Sequence, residues 1–210
     1  MSKRSYEQYC PVAHALDLVG ERWSMLIVKE LMHGPKRYTD LAEHLRGIGT
    51  NILAARLRAL EECGVIAKRK LPPPAASRVY ELTDYGRDLR PVMRELALWG
   101  ARSLGPPTAE DELYEGWLPN ALDTMVAPFV RKGTFEFRVG DEVATLADGR
   151  VHEGPADEPD VVVTAQPEGL YYLLIERRLE GVKVEGNYQL LERLISALAA
   201  APVEKPLVAA

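Results

Sequence analysis

The segment GIGTNILAARLRALEECGVI, residues 47–66, decides the fold of the first half of this chain. Its leucines Leu53, Leu57 and Leu60 recur at helical spacing, so a helix over residues 50–63 would bury one face. The opposite face of that helix carries small and hydrogen-bonding side chains: Asn51, Ala54, Ala55 and Arg58. The segment therefore predicts a helix that packs on one side and is open to polar contacts on the other.

The segments on either side complete an ordered set of elements. Residues 39–46 form a shorter helical pattern, and the glycines of the Gly-Ile-Gly turn at 47–49 tolerate positive φ at little cost. After the long helix, residues 65–71 and Arg78–Leu82 are strand-like runs separated by a proline-rich tip at 72–77. Helix, tight turn, helix and basic hairpin predict a winged helix-turn-helix, which places its second helix in the major groove of DNA.

Three further helices are predicted around this motif. Pro11 can open the first, since its fixed φ and missing N–H suit a first turn, and the second spans residues 23–33. A third begins at Thr83 or Asp84, and Pro91 inside it predicts a kink. An apolar stripe runs along this third helix: Leu89, Val92, Met93, Leu96 and Trp99. We expect the stripe to meet its symmetry mate in a homodimer, or else to pack on the later part of the chain.

Charge divides the chain in two. Residues 1–104 carry 17 lysines and arginines against 12 acids, a net charge of +5, whereas residues 105–210 carry 9 against 19, a net charge of −10. The total of −5 therefore hides a basic half suited to a polyanion. Because a stiff Gly-Pro-Pro-Thr linker at 105–108 marks the change, we predict a DNA-binding and dimerisation domain over 1–104 and a second domain over 105–210.

The second half alternates short strands and helices. The pattern predicts strands at 134–139, 142–146, 150–153, 160–165 and 182–185, and helices at 110–126, 167–177 and 187–199. An Asp-Gly pair at 148–149 is a hairpin signal. The predicted fold class is a mainly α winged helix-turn-helix in the first domain and α+β, on an antiparallel sheet, in the second.

Basic side chains group around the predicted motif. Duplex DNA is held mainly through its phosphates, which lysine, arginine and helix N-termini bind. The candidates are Lys36 and Arg37 before the first helix, Arg56 and Arg58 on the second, and Lys68, Arg69, Lys70 and Arg78 beside the hairpin tip. Any single one is more simply explained as a solvated surface charge. Their grouping around one motif favours a phosphate-binding surface.

Base readout requires side chains at the start of the second helix. Asn51 can make a bidentate contact with adenine, and the methyl group of Thr50 can touch a thymine methyl. Thr50 is equally suited to be an N-cap that contacts no base. Ala54 would allow close approach to the groove without specifying a base.

The two cysteines are too few for a disulfide scaffold, and the N-terminus lacks the apolar region of a secretory signal. We therefore expect free thiols in a reducing cytoplasm. Cys10 precedes Pro11 at a helix start, where partial positive charge could make the thiol oxidisable and the residue a redox sensor. An unreactive, partly buried thiol is the alternative. Cys63 is interpreted as a packing residue.

Catalytic and metal-binding patterns are absent from the sequence. The four histidines lack ligand spacing with the cysteines, and no nucleophile elbow, Walker loop or dinucleotide glycine motif occurs. We therefore predict that the protein is not an enzyme and holds no cofactor. We also predict no membrane span, because no apolar run approaches the roughly 20 residues that a membrane span requires. Aromatic residues of the second half could line an apolar ligand pocket, with ordinary core packing as the alternative for each: Trp117, Phe129, Phe135, Phe137, Tyr171 and Tyr172.

Four motifs make the first domain similar to the HxlR-type bacterial transcriptional regulators, relatives of the MarR group. They are CPVAHALDLVGERW (10–23), GPKRYTDLAEHL (34–45), GIGTNILAARLRALEECGVI (47–66) and RVYELTDYGRDLRPVMRELALWG (78–100). The resemblance implies a homodimeric winged helix in which helix 50–63 enters the major groove. It also matches Cys10 to the cysteine through which some members sense electrophiles or oxidants. Asn51 departs from the Lys or Arg of many members, so an operator preference is not carried over.

The second domain resembles the sterol carrier protein fold through DVVVTAQPEGLYYLL (160–174) and VKVEGNYQLLERL (182–194). That fold encloses a tunnel for fatty acyl or sterol-like molecules, so the resemblance implies an apolar ligand. The two resemblances together imply a cytoplasmic, homodimeric regulator, a repressor, whose affinity for operator DNA responds to such a ligand. Two alternatives stay open: a redox repressor acting through Cys10 with a passive second domain, and a lipid carrier without operator selectivity.

Overall fold

The computed structural model describes residues 5–72, 76–108, 110–111 and 113–200. The chain divides into two compact units, Met1–Met93 and Arg94–Ala210. This division falls inside a helix, before the linker at which the composition changes. None of the described helices is long and apolar enough to cross a membrane.

The first unit contains the helix-turn-helix and the hairpin. Its helices are α1 (Pro11–Val19), α2 (Ser24–Leu31), α3 (Tyr38–His44), α4 (Thr50–Glu62), α5 (Asp84–Arg87) and the first turn of α6 (Arg90–Leu104), which continues into the second unit. Leu53, Leu57 and Leu60 of α4 are at most 1% exposed and share a core with α2, α3 and the hairpin. The predicted buried face of the motif's second helix is confirmed.

The hairpin consists of β1 (Ile66–Lys70) and β2 (Arg78–Leu82), which pair antiparallel. An isolated bridge adds Lys36 to this pair: the Lys36 N–H donates to Tyr80 O at 3.0 Å, and the Tyr80 N–H donates to Lys36 O at 2.8 Å. The middle of the predicted proline-rich tip, residues 73–75, lies outside the described residues. The bridge between Lys36 and Tyr80 joins the hairpin to the segment between α2 and α3.

The helix predicted after the hairpin is two helices, so the expected kink at Pro91 is wrong. The Thr83 hydroxyl accepts a hydrogen bond from the Gly86 N–H at 3.0 Å and caps the short α5. The next helix begins at Arg90, which places Pro91 in its first turn. Proline lacks an N–H that a first turn leaves unpaired anyway, so it opens α6 instead of bending a longer helix.

The second unit is built on a five-stranded sheet. In the order β5-β4-β3-β6-β7 its strands are β5 (Arg150–Glu153), β4 (Glu142–Ala147), β3 (Thr134–Val139), β6 (Val161–Ala165) and β7 (Val182–Gly186). The predicted antiparallel sheet is wrong in one pairing, because β3 and β6 run parallel and the sheet is mixed. The three strands β3, β4 and β5 form an antiparallel meander, after which the chain crosses to the free edge of β3 and runs in the same direction.

The helices of the second unit are α7 (Trp117–Met125), α8 (Pro167–Tyr171), followed by a π-helical turn at Tyr172–Glu176, and α9 (Tyr188–Ala200). The helix predicted from residue 110 thus begins later, and Leu113, expected inside it, is exposed. Both carboxylate oxygens of Glu142 accept N–H groups where α7 starts, from Gly116 at 2.6 Å and Leu118 at 2.9 Å. A strand side chain therefore defines the helix start, which sequence spacing could not show.

Alternate residues of the central strands face the helices and form the core of this unit. Phe135, Phe137 and Val163 are buried there. Since successive strand residues point to opposite faces, Glu136 and Arg138 lie on the other face of the sheet. The sheet thus has an apolar face covered by helices and a polar face.

Candidate nucleic-acid interface

The outward face of α4 presents the side chains that the sequence indicated for DNA contact. Thr50, Asn51, Ala54 and Arg58 are all exposed. The first turn of α4 contains no acid, so no carboxylate of this helix opposes the partial positive charge at its N-terminus. Within the described residues, Arg58 has no hydrogen-bond or ion-pair partner. This face can approach a polyanion with its polar groups unengaged.

The start of α4 is held by the neighbouring helix. Tyr38 Oη donates a hydrogen bond to Thr50 O at 2.9 Å, and Gly47 in the turn has a φ of 83°, which favours glycine. Gly49 is the N-cap and Thr50 is the first helical residue, so the N-cap interpretation of Thr50 is wrong. The Thr50 side chain is instead exposed beside Asn51.

Arg56, predicted to bind phosphate, lies apart from this face. Its Nη2 donates to Glu21 Oε2 at 2.8 Å and its Nε donates to Arg22 O at 3.2 Å, both in the loop between α1 and α2. The Arg56 side chain is only 25% exposed. Its charge is matched by Glu21, so Arg56 connects α4 to the α1–α2 loop.

Two basic residues of the hairpin are paired with acids. Lys68 Nζ lies 2.9 Å from Glu61 Oε2 and 5.4 Å from the centre of the Tyr80 ring, and the Glu61 hydrogen bond raises the pKa of Lys68. Arg69 Nε donates to both carboxylate oxygens of Glu81, at 3.0 and 2.9 Å. These pairs reduce the positive charge that the hairpin offers to DNA.

Lys70 and Arg78 carry unmatched charge at the end of the hairpin. They are register partners and both are exposed. In the part of the chain that the structure describes, neither has an acidic partner. Like charges directly opposite each other on a strand pair are unfavourable, so an anion bound between them would stabilise the pair. The four basic residues of the hairpin therefore fall into two that are paired with acids, Lys68 and Arg69, and two without an acidic partner among the described residues, Lys70 and Arg78, which we call the free pair.

Lys36 and Arg37 lie where α3 begins. The Arg37 N–H donates to Asp40 Oδ2 at 2.8 Å, which caps the helix, and the Arg37 side chain is exposed. Lys36 is half-buried, in keeping with its backbone pairing to the hairpin. Arg37 is thus the better placed of the two for a phosphate near the N-terminus of α3.

A buried charge cluster behind the motif was not predicted. Glu30 of α2 is 2% exposed, and its carboxylate accepts hydrogen bonds from Lys29 Nζ and His44 Nδ1, each at 2.8 Å. Burial opposes the charged form of Glu30, but the hydrogen bonds from Lys29 and His44, together with the charge interactions of these two residues, outweigh it and lower the pKa of Glu30. The sequence did contain a signal for the burial of Glu30, because its spacing along α2 places it on the same buried face as Ile27 and Leu31. The cluster connects α2 to α3.

The two cysteines are free thiols in different settings. Cys10 is the N-cap of α1 and is half-exposed, and its side chain makes no capping hydrogen bond. Cys63 is the C-cap of α4, where its Sγ donates to Leu60 O at 3.4 Å. Redox sensing by Cys10 stays a prediction, whereas Cys63 has the packing position expected of it.

Five of the six aromatic residues predicted for a ligand pocket, all except Tyr172, lie in or against the core of the second unit. Phe135 and Phe137 are buried and stack with their ring centres 6.5 Å apart. The others are partly buried: Trp117, Phe129, Tyr171 and Tyr172. An open pocket of about 510 Å³ in this unit is lined by none of the six.

Comparison with known proteins places the first half of the chain in a family. The family model described as HxlR-like helix-turn-helix matches residues 18–107. The HTH-type transcriptional regulator sll1512 of Synechocystis is 38% identical over 112 residues, which cover 53% of this chain and 82% of that protein. YodB of Bacillus subtilis, also an HTH-type transcriptional regulator, is 35% identical over 98 residues, covering 46% and 88%. The solved reduced form of YodB has a TM-score of 0.41 at 33% identity, covering 48% of this chain and all of that one.

The fold and the exposed helix define a winged helix-turn-helix transcriptional regulator. The chain belongs to the HxlR-like helix-turn-helix family. Its relatives are transcriptional regulators and not enzymes, as the sequence predicted for this chain. Among the described residues, no group of three potential ligands could hold a metal ion.

Proposed function

We propose that this chain is a homodimeric repressor that binds operator DNA through α4 and the hairpin of each subunit. The observation that carries the proposal is the exposed face of α4, whose leucines are buried while Thr50, Asn51 and Arg58 are unengaged. In the complex, Thr50 and Asn51 reach base edges in the major groove, and Lys70 and Arg78 bind backbone phosphates beside it.

Support for a homodimer comes from α6. Val92, Leu96 and Trp99 recur at helical spacing and are 53%, 46% and 67% exposed. A row of large apolar side chains in water is unfavourable, and a second copy of the helix would cover it. Two-fold symmetry would then place the two α4 helices on half-sites about 34 Å apart along the duplex, or a multiple of that distance.

The second unit is proposed to be a sterol carrier protein-like module that adjusts DNA affinity in response to an apolar ligand. Its helices cover one face of a five-stranded sheet, and partly buried aromatic rings such as Trp117 and Tyr171 lie at the margin of the apolar core. The boundary between the two units falls within α6. Coupling of this kind is typically about 1–3 kcal/mol.

Redox control through Cys10 is a second candidate. The thiol is half-exposed at the N-cap of α1, and its side chain makes no capping hydrogen bond. Cys10→Ser should abolish the response of DNA binding to oxidant under this alternative. A full oxidant response in the variant would exclude it.

The main proposal is tested with the full-length protein. Genomic fragments enriched by immunoprecipitation are compared with scrambled duplexes of the same length by fluorescence anisotropy at moderate ionic strength. We expect a preference of roughly 10³-fold or more for the enriched fragments, and a change in that affinity when extracted lipids are added. Equal affinity for enriched and scrambled DNA, with and without lipids, would overturn operator binding. A reporter gene placed behind an enriched fragment tests the direction of regulation. Lower reporter expression in a strain that lacks the gene for this protein would overturn the repressor assignment.

A further inference from the structure

Three polar residues form one row across the sheet of the second unit. Arg138 on β3 is the register partner of Thr164 on β6, which is the register partner of Lys183 on β7. Register partners share a face of a sheet, and adjacent strands are about 4.8 Å apart, so Arg138 and Lys183 start about 10 Å from each other. The row therefore presents a guanidinium, a hydroxyl and an ammonium side by side on the polar face.

Each cation is held by an acid of its own strand. Arg138 Nε donates to Glu136 Oε1 at 2.5 Å, and Lys183 Nζ lies 2.6 Å from Glu185 Oε1. Glu136 and Glu185 occupy positions on one side of the row, toward the opposite end of the sheet from the turn at Gly140. Along the strands, the two cations therefore lie between the acids and the end of the sheet that contains the Gly140 turn.

The carboxylate of Glu136 is unusual for a polar sheet face because it is 1% exposed. Its second oxygen accepts the Ala156 N–H at 2.8 Å, so both oxygens are satisfied. A buried carboxylate is costly unless it is paired, and this one is paired with a single nitrogen of Arg138. Within the described residues the terminal nitrogens of Arg138 have no partner. Glu136 therefore orients the guanidinium and leaves its outer edge available.

An open pocket of about 510 Å³ lies where these strands end. Its lining includes Arg138, Thr164, Gln166 and Lys183, and no acid among the described residues. Residues 105–210 carry 19 acids and only 9 lysines and arginines. Glu136 and Glu185, which pair with the two cations, do not line this pocket, so its wall presents two cations and no acid, and this arrangement favours an anionic occupant.

We propose that this pocket binds the carboxylate or phosphate group of a small molecule. The terminal nitrogens of Arg138 form the two-nitrogen fork that matches such an anion, and Lys183 adds a second positive charge. The Thr164 hydroxyl and the Gln166 amide supply further donors. Glu136 is a positioning residue that acts through Arg138. Anion binding does not depend on DNA binding, and only its regulatory use rests on the proposed ligand control.

Isothermal titration calorimetry of the full-length protein at low ionic strength tests the site, with inorganic phosphate in one arm and octanoate in the other. We expect saturable binding in at least one arm and a loss of roughly tenfold or more in Arg138→Ala. Glu136→Gln should weaken binding several-fold, because the guanidinium loses its orientation while its charge stays. Arg150→Ala, which removes an exposed arginine of β5 from the same unit but not from the pocket, is the matched control and should bind like the wild type.

Binding of phosphate alone identifies a phosphate ligand, and binding of octanoate alone identifies a carboxylate. No saturable binding at millimolar concentration in either arm, or equal losses in Arg138→Ala and Arg150→Ala, would overturn the site. If Arg138→Ala does not fold by circular dichroism, Lys183→Met takes its place with the same expected loss. Anion binding that leaves operator affinity unchanged supports the site and removes its regulatory use, so the two proposals fail separately.

Discussion

Arg56 Nη2 donates to Glu21 Oε2 at 2.8 Å, which connects the middle of α4 to the loop between α1 and α2. Arg58, on the same helix, is exposed and has no partner within the described residues. Two arginines of the same helix therefore differ in their surroundings: Arg56 is bonded to the α1–α2 loop, and Arg58 is exposed.

Arg58→Ala and Arg56→Ala should differ in what they lose. Removing Arg58 should weaken binding to all duplexes and leave the urea midpoint unchanged, because this exposed side chain makes no hydrogen bond or ion pair within the described residues. Removing Arg56 should lower the unfolding free energy by about 1 kcal/mol, since a partly buried, charged hydrogen bond disappears. Anisotropy titrations and urea denaturation of both variants measure this, and equal losses of stability would contradict the assigned roles.

The free pair at the hairpin end should supply the phosphate contacts. Lys70→Ala and Arg78→Ala should each flatten the slope of log K against log salt by about 1, because each removes one neutralised phosphate. The matched control is the double variant Arg69→Ala/Glu81→Ala, which removes a neutral pair and should keep the slope. A slope that responds to the double variant and not to Lys70 or Arg78 would reverse the assignment.

Asn51 should affect sequence preference more than overall affinity. Asn51→Ala should reduce discrimination at one base pair of each half-site by about 1–3 kcal/mol, because a bidentate contact to a base edge is lost. A panel of operator duplexes with single base-pair changes measures this by anisotropy. A uniform loss across the panel would show that Asn51 only positions the helix.

Glu30 should make the stability of the first unit sensitive to acid. Burial raises the pKa of Glu30, but the hydrogen bonds and charge interactions with Lys29 and His44 together outweigh this effect, so the pKa is lowered in the folded protein. A lowered carboxyl pKa stabilises the fold above the unfolded value, near 4.5, and this stabilisation is lost as pH falls through the lower folded value.

The comparison of wild type with Glu30→Gln isolates this group from the other acids. The wild type should be more stable at pH 7 by on the order of 1–3 kcal/mol, and the difference should shrink as pH falls below about 4.5. Guanidinium denaturation between pH 3 and 7 measures both. A difference that stays constant with pH would show that the pKa of Glu30 is the same in the folded and unfolded states.

Gly86 should tolerate no side chain. A Cβ atom at Gly86 would lie 2.1 Å from Val65 O, so the backbone of α5 or of the hairpin would have to move. Gly86→Ala should cost about 1–3 kcal/mol, within the range for overpacking. Gly100→Ala in α6 is the control: its Cβ would meet no atom within 4 Å, and alanine should gain about 0.5–1 kcal/mol from helix propensity. Equal melting temperatures for the two variants would contradict this packing.

Local periodicity and turn chemistry determined much of the fold. The leucine spacing of α4, the glycine turn before it and the strand-like runs at 65–71 and Arg78–Leu82 predicted the helix-turn-helix and both strands of the hairpin, because each pattern reflects neighbours within a few residues. The same local signals also led to errors: Pro91 was interpreted as a kink although it lies in the first turn of α6, and the helix predicted from residue 110 begins at Trp117.

Only the tertiary structure decided which charges are free and how the second sheet is arranged. Arg56 and Arg69 find acids that are distant in sequence, Glu142 defines the start of α7, and β6 pairs parallel with β3. The residue types alone are compatible with several partners for each group. The choice among them depends on which segments the two cores bring together, and that is a property of the folded chain and not of any local pattern.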